Sequence, residues 1–142
     1  MLAHRIPEGV TVVRDYGADV PRIEAIAGEL NQVWTNLIDN AVDAMAGEGT
    51  LRVSTRADGN GVVVEIGDTG AGMSHEAQDH AFEPFFTTKG VGKGTGLGLD
   101  ISRRIIVDRH GGEIMIDTQP VETVLRVRLP KRPHAAEVVR HP

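Results

Sequence analysis

The hydrophobic residues of this chain recur at spacings that predict helices. In residues 28–46 apolar side chains lie three, four and seven positions apart, which places them on one helix face, and Gly47 and Gly49 end the pattern. A short helix is predicted after Ser74, whose side chain suits the N-cap position. A further helix is predicted at 97–110, because an apolar segment there is followed by two glycines.

Runs of β-branched and alternating residues predict strands before and between these helices. Five such runs occupy residues 10–16, 50–56, 61–67, 113–118 and 123–129. The segment 58–61 joins two of them and is a strong hairpin signal, and residues 21–26 are expected to add a short edge segment. Because the helices and strands are interspersed but do not strictly alternate, we expect an α/β two-layer sandwich with a mixed sheet.

The composition of the chain is that of a globular single domain. It has 142 residues, of which 40% are apolar and 25% are charged, and these are ordinary values for a domain with one hydrophobic core. We expect that domain to span residues 1–130. Residues 131–142, with two prolines and scattered charge, are expected to form a flexible tail.

The same composition excludes several classes of function. No apolar run approaches the roughly 20 residues that are needed to cross a bilayer, so we expect no direct membrane contact. A net charge of -5 argues against a nucleic-acid surface, which requires clustered cations. The absence of cysteine excludes thiolate metal sites and fits a cytoplasmic protein.

The predicted helix at 28–46 carries a polar stripe beside its apolar face. Asn36, Asn40 and Asp43 lie at i, i+4 and i+7 and therefore share one side of the helix. Asparagine is a poor helix former, so two of them in mid-helix cost stability without a local benefit. Carboxamide oxygens suit Mg²⁺, which binds chiefly through substrate phosphates. A solvated polar face is the alternative interpretation.

A second group of candidate residues follows the predicted strand at 61–67. Asp68 stands at the strand end, where a carboxylate can accept hydrogen bonds from an exocyclic amine such as that of adenine. Gly70 and Gly72 would let the backbone approach a flat ring, since neither has a Cβ. A plain turn after the strand is the alternative interpretation.

The third group is the glycine-rich segment 90–99, which runs into the predicted helix at 97–110. Backbone N–H groups there and the positive end of the helix dipole suit phosphate binding. The glycine spacing matches neither the Walker A loop, nor the dinucleotide fingerprint, nor the protein-kinase glycine loop. Lys89 and Lys93 could reach a terminal phosphate, and a flexible linker with solvated charges is the alternative.

In this order and spacing, the three groups resemble the histidine-kinase branch of the ATPase superfamily that includes type II topoisomerases, chaperone ATPases and mismatch-repair ATPases. Residues 32–41 resemble its N box, 68–72 its G1 box, 82–89 its F box and 92–99 its G2 box. The resemblance covers roughly residues 10–130. Four motifs in order are far more specific than any one of them.

The resemblance implies a Bergerat-type fold, with a mainly antiparallel sheet, about three helices and a flexible lid at about 82–96 over bound ATP. Asp68 would recognise the adenine amine, Asn40 would ligate Mg²⁺, and Asn36 would lie on the phosphates. Asn36 and Lys89 would be the catalytic residues. The resemblance also implies that further residues contact the nucleotide. These are Asp43, Gly70, Gly72, Met73, Phe85, Thr88, Lys89, Gly92, Gly94, Thr95, Gly96, Leu97, Gly98, Leu99 and Thr123.

The residue at position 36 discriminates within this superfamily. Its hydrolysing members resemble one another in placing a glutamate there, where it can activate water as a general base. Asn36 cannot accept a proton, so the resemblance implies poor hydrolysis and phosphoryl transfer to a presented nucleophile. Two positions depart from the family pattern. Asp43 stands where lysine or another phosphate-facing polar group is common, and Glu122 replaces the glycine of the usual Gly-Thr pair, whose threonine is Thr123.

None of the histidines in this sequence is expected to be the phosphoacceptor of a histidine kinase. A histidine kinase carries its phosphoacceptor histidine on a dimerisation segment, and none of the six histidines stands in the expected sequence context. We therefore expect the acceptor on a separate segment of the same kinase, a response regulator as indirect partner, and a chain that binds ATP without phosphorylating itself. It would be an excised domain or act in trans. An anti-sigma-factor serine kinase and a nucleotide-sensing adaptor are the alternatives.

Overall fold

The structure is a computed structural model that describes residues 6–18, 20–59, 61–83 and 98–131. Its strands are β1 (Val10–Tyr16), β2 (Gly49–Asp58), β3 (Gly61–Asp68), β4 (Glu113–Gln119) and β5 (Glu122–Leu129). Its helices are α1 (Ala27–Met45), α2 (His75–His80) and α3 (Gly98–Arg103), and α3 continues directly as a π-helical segment, Arg104–Arg109. These elements confirm the five strands that the hydrophobic pattern predicts and a helix in each of the three predicted helical regions.

The five strands form one sheet in the order β1-β2-β3-β5-β4. β1 runs parallel to β2, whereas the β2–β3, β3–β5 and β4–β5 pairs are antiparallel. The parallel pair is possible because α1 lies between β1 and β2 in the sequence and provides the crossover connection. The sheet is therefore mixed and mainly antiparallel, and together with the helices it confirms the predicted α/β two-layer sandwich.

The hydrophobic core lies between the helices and one face of the sheet. The buried residues of α1 are Val33, Leu37, Ala41 and Met45. They repeat every four positions, as expected for a helix that buries a single stripe. On the sheet, the cross-strand partners Ile66 and Leu125 are buried in the same core. This packing fixes where the ends of β3 and β5 stand relative to α1.

The other face of the sheet carries ion pairs, here called the outer-face network (Arg52, Arg56, Glu65, Glu122 and Arg126). Glu65 on β3 is its centre, and its carboxylate accepts hydrogen bonds from Arg126 at 2.7 Å and from Arg56 at 3.2 Å. Burial works to raise the pKa of Glu65, but these two arginines prevail and hold that pKa below its ordinary value. Charge on one face and apolar packing on the other therefore hold the central strand in place.

His110 joins the end of the π-helical segment to the start of α1. Its side chain is buried, its Nε2 accepts a hydrogen bond from the Ile26 N–H at 3.0 Å, and its Nδ1 donates to the Ile105 carbonyl at 2.9 Å. The pattern requires the tautomer that carries its proton on Nδ1. Because Ile26 is the N-cap residue of α1 and has no side-chain cap bond, the His110 ring holds the residue at which that helix begins.

Two predicted elements differ from the structure. Residues 21–26 form no strand, because Pro21 has no N–H to donate to a strand neighbour and the Glu24 N–H is bonded to the Lys131 carbonyl at 2.8 Å. The helix predicted at 97–110 is α-helical in its first part only and π-helical in its second. Nothing in the local hydrophobic spacing predicts that change.

Predictions for turns and ends are tested only in part. The hairpin predicted at 58–61 joins β2 and β3, and Gly59 takes a left-handed conformation there, with φ at 59°. Apart from Lys131, the tail predicted at 131–142 lies outside the described residues, so the domain limits stay a prediction. In the described ranges no helix is both long enough and apolar enough to cross a bilayer.

Candidate nucleotide site

Asp68 stands at the end of β3, where the strand leaves the core. Its side chain is 5% exposed, and its Oδ1 accepts a hydrogen bond from the Gly70 N–H at 2.9 Å. In the sheet its cross-strand partners are Leu51 on β2 and Thr123 on β5. The carboxylate is therefore fixed in place by its own loop and sheet.

The surroundings of Asp68 make its charged form costly. Burial is the largest cause and raises its pKa, the Gly70 N–H works in the opposite direction, and the negative charge of Glu122 adds to the rise. A carboxylate in such surroundings gains more from a hydrogen-bond donor than one in water does, because the local dielectric constant is low. The site is thus suited to a ligand that brings an N–H group to Asp68.

The loop after Asp68 packs against the end of α1. The Ala71 N–H donates to the Ala44 carbonyl oxygen at 3.3 Å, and a Cβ at Gly70 would lie 2.6 Å from the Ala44 carbonyl carbon. For Gly70 the structure therefore gives a packing reason: the backbone of the loop and the backbone of α1 approach too closely for a side chain. This packing alone explains why position 70 is a glycine, without any approach of the loop backbone to a ligand ring.

Gly72 and Thr123 lie together beside Asp68. Gly72 has φ at 82°, and a Cβ there would contact the Thr123 hydroxyl oxygen at 3.6 Å. Thr123 is itself 6% exposed and is the register partner of Asp68. Met73 is half-buried and packs against the hydrophobic core. The structure thus brings Asp68, Gly72 and Thr123 to one edge of the sheet.

The polar stripe of α1 lies on one side of the helix, as its spacing predicts. Asn36 and Asn40 are half-buried and Asp43 is exposed. The Asn36 side-chain amide donates to the Ser102 hydroxyl at 3.5 Å, and Ser102 on α3 is fully buried. Asn36 therefore links α1 to the helix that follows the glycine-rich segment, a contact that no motif in the sequence signals.

The residues predicted to form the lid are described only at its margins. Phe85, Thr88, Lys89, Gly92, Gly94, Thr95, Gly96 and Leu97 lie outside the described residues. Gly98 is the first residue of α3. Leu99 is 9% exposed and belongs to the hydrophobic core, so a contact with a ligand would come from its backbone and not from its side chain.

A divalent cation at this site would depend on few protein ligands. Within the described ranges no group of three or more His, Cys, Asp and Glu residues could hold a metal ion. Asn40 offers an amide oxygen on the half-buried side of α1. This donor set fits Mg²⁺, which usually keeps several waters and takes most of its other ligands from substrate phosphates.

The sequence of the chain matches a known protein family. Residues 25–133 match the family described as Histidine kinase-, DNA gyrase B-, and HSP90-like ATPase. Sporulation kinase E of Bacillus subtilis (strain 168) is 38% identical over 121 residues, which make up 84% of this chain and 16% of that protein. The chain thus spans about a sixth of the length of that relative.

Solved structures of histidine kinases have the same fold. The catalytic domain of histidine kinase ThkA matches with a TM-score of 0.78 and 32% identity, over 88% of this chain and 82% of that domain. ThkA in complex with response regulator protein TrrA matches with a TM-score of 0.75, 30% identity, and coverage of 88% and 35%. Full-length ShkA in complex with AMPPNP matches with a TM-score of 0.76, 28% identity, and coverage of 92% and 27%. The chain belongs to the histidine kinase-, DNA gyrase B- and HSP90-like ATPase family and is homologous to the catalytic domains of sensor histidine kinases.

Proposed function

We propose that this chain is the ATP-binding catalytic domain of a two-component sensor histidine kinase, and that it donates the γ-phosphoryl group of ATP to a histidine on a dimerisation segment of the same kinase. The observation that carries the proposal is the buried carboxylate of Asp68, held by Gly70 beside Gly72 and Thr123. Such a carboxylate is suited to a charge-assisted hydrogen bond from the adenine amine. Membership of an ATPase family supports ATP as the ligand.

Asn36 and Asn40 are assigned to the phosphate end of the nucleotide. Asn40 would be the metal ligand and Asn36 would lie on the phosphates, since both amides stand half-buried on one side of α1. When bound, Mg²⁺ supplies charge neutralisation to the phosphates. Lys89 and the glycines of segment 90–99 are assigned to the γ-phosphate and to the phosphate cradle from their resemblance to the family.

Asn36 favours phosphoryl transfer over hydrolysis. An amide cannot take a proton from water, so Asn36 cannot serve as a general base. Its donation to Ser102 restrains the amide, which would then act on the phosphates as a fixed dipole. We expect the 142-residue chain alone to bind ATP, to hydrolyse it slowly and not to phosphorylate itself.

A response regulator would be the indirect partner of this domain. In the proposed scheme it receives the phosphoryl group from the phosphohistidine and not from ATP. The kinase ThkA has been crystallised with a response regulator protein, and its catalytic domain has the fold of this chain, which supports the same setting here. We place the domain in the cytoplasm, where ATP is available.

A reconstituted transfer assay tests the proposal. The chain, Mg²⁺ and γ-labelled ATP are mixed with a dimerisation segment from the same kinase system, and we expect an acid-labile phosphohistidine. Asp68→Asn and Asn40→Asp should each reduce labelling about tenfold or more, because the first removes the charged acceptor for the adenine amine and the second adds a negative charge beside the phosphates. The matched control is Glu113→Gln, on the exposed far end of β4, which should label normally.

Two outcomes of this assay would contradict the proposal. Acid-stable phosphoserine on a partner protein would indicate an anti-sigma-factor serine kinase instead. Failure of the wild-type chain to bind ATP at millimolar Mg²⁺ would indicate an adaptor module that does not use nucleotide.

A further inference from the structure

We propose that Glu122 is a positioning residue for the candidate adenine site: held by Arg52 across Gly67, it fixes the start of β5, which carries Thr123, against the end of β3, which carries Asp68. The inference rests on the proposed function and deepens it. Neither Glu122 nor Arg52 belongs to the four motifs on which the resemblance to ATPases depends.

The first observation is the geometry of the Arg52–Glu122 pair. Arg52 Nε lies 2.8 Å from Glu122 Oε2, and Arg52 Nη2 lies 3.1 Å from Glu122 Oε1, so the guanidinium grips the carboxylate with two parallel hydrogen bonds. The side chains are only 28% and 21% exposed. A bidentate pair that is largely shielded from water is stronger and more directional than an exposed ion pair.

The second observation is that the pair crosses the central strand of the sheet. Arg52 lies on β2 and Glu122 on β5, and β3 runs between these two strands. The crossing takes place at Gly67, the register partner of Arg52. A Cβ at Gly67 would lie 2.7 Å from Glu122 Cδ, and the three atoms that it would meet first all belong to Glu122. The absence of a side chain at Gly67 is therefore what lets the pair form.

The third observation is that the Arg52–Glu122 pair crosses β3 directly beside the candidate adenine site. Gly67 is the residue before Asp68, and Glu122 is the residue before Thr123. Asp68 and Thr123 are register partners on the core face of the sheet, and the Arg52–Glu122 pair lies behind them on the outer face. Movement of β5 away from β3 at this edge would separate Asp68 from Thr123, and the pair opposes that movement.

Glu122 also acts on Asp68 through its charge. The charged groups on the elements that pack against β3 are, in the described part of the chain, Arg52, Arg56 and Asp58 on β2, Glu122, Arg126 and Arg128 on β5, and Glu29, Asp39 and Asp43 on α1. Of these, Glu122 is the group whose field contributes to the raised pKa of Asp68. Removing the Glu122 charge should lower that pKa, and removing its partner Arg52 should raise it further.

A suppression experiment tests the positioning role. In the full 142-residue chain, Glu122→Gly and Gly67→Ala should each weaken ATP binding about threefold to tenfold, the size expected for residues that act on the ligand only through their neighbours. In the Glu122→Gly background, Gly67→Ala should have little further effect, because the side chain with which its Cβ collides is gone. Glu113→Gln, at the other end of the outer face, is the matched control and should bind ATP as the wild type does.

A titration of the ligand-free protein tests whether the charge of Glu122 affects the pKa of Asp68. Carboxyl NMR should show Asp68 titrating at lower pH in Glu122→Gln and at higher pH in Arg52→Met than in the wild type. A purely structural role would not produce shifts of opposite sign. Far-UV circular dichroism on every variant checks that it is folded.

The inference is overturned if Asp68 titrates identically in wild type and Glu122→Gln, or if Gly67→Ala is equally harmful with and without Glu122. Failure of the wild-type chain to bind ATP would overturn the proposed function instead. In that case the ligand-free titration would still decide whether Glu122 acts on Asp68, so the two failures are distinguishable.

Discussion

Asp68 at the end of β3 and Thr123 at the start of β5 are direct cross-strand partners, and both side chains are buried, at 5% and 6% exposure. The two strands are antiparallel, so the end of one meets the start of the other at a single edge of the sheet. The candidate adenine site is therefore anchored on two hydrogen-bonded strands and not on a loop alone. Side chains held on such a scaffold need little rearrangement to receive a ligand.

Gly70 should be intolerant of a side chain for reasons of packing. A Cβ there would press on the Ala44 backbone and force the loop away from α1, so Gly70→Ala should lower the free energy of unfolding by about 1–3 kcal/mol. Gly28 in the first turn of α1 is the matched control, because nothing lies within 4 Å of its Cβ position. Gly28→Ala should be neutral or stabilise by up to about 1 kcal/mol. Urea unfolding of both variants checks the contrast, and equal effects would contradict it.

His110 should contribute to stability through its two hydrogen bonds. His110→Phe fills a similar volume but can neither accept from the Ile26 N–H nor donate to the Ile105 carbonyl. We expect a loss of about 1–3 kcal/mol in the free energy of unfolding, since a buried carbonyl would lose its donor. His75→Ala, at an exposed position in α2, should change it by less than about 0.5 kcal/mol. Thermal unfolding that leaves His110→Phe as stable as the wild type would disprove this role.

Glu65 should make the free energy of unfolding fall as the solution becomes acidic. Its pKa is lowered in the folded chain, so its contribution is fully present above the ordinary value of 4.5 and is lost as the pH falls through the lower folded value. Glu65→Gln should therefore cost about 1–3 kcal/mol at neutral pH, where it removes the charged acceptor shared by Arg126 and Arg56. The difference from the wild type should shrink below pH 4.5. Urea unfolding at several pH values measures it, and a difference that does not vary with pH would count against this assignment.

The ionised form of Asp68 should lower the free energy of unfolding, whereas that of Glu65 raises it. Its pKa is raised in the folded chain above the ordinary 3.8, so its ionised form destabilises the ligand-free protein above the folded pKa, and this cost disappears as the pH falls. Asp68→Asn should therefore be more stable than the wild type at neutral pH, by about 1 kcal/mol, although we expect it to bind ATP poorly. The same unfolding series tests this, and an Asp68→Asn chain that is less stable at neutral pH would contradict the raised pKa.

Local patterns were sufficient to predict most of the fold. The stripe of α1 residues from Val33 to Met45, the hairpin at 58–61 and the Ser74 cap all depend on residues close together in sequence. The position of the G1 box, residues 68–72, directly after β3 could be predicted for the same reason. These features follow from spacing and turn chemistry, which act over a few residues.

Contacts between distant residues could not be predicted in this way. The Arg52–Glu122 pair, the Asn36–Ser102 contact and the His110–Ile26 bond join residues that are 70, 66 and 84 positions apart. Each depends on how the helices and strands pack, which hydrophobic spacing does not specify. Glu122 was visible in the sequence only as a departure from the usual Gly-Thr, and its partner was not visible at all.

The central claim is that Asp68 recognises the adenine amine, and a comparison of ATP with inosine triphosphate tests it most directly. Inosine triphosphate carries a carbonyl oxygen where ATP carries the amine and is otherwise closely similar. Calorimetric titration of the wild-type chain should show ATP binding about tenfold to a hundredfold more tightly, because the carbonyl would face an unpaired carboxylate. In Asp68→Asn the preference should largely disappear. Equal affinity of the wild type for the two nucleotides, or a preference that survives in Asp68→Asn, would contradict the account.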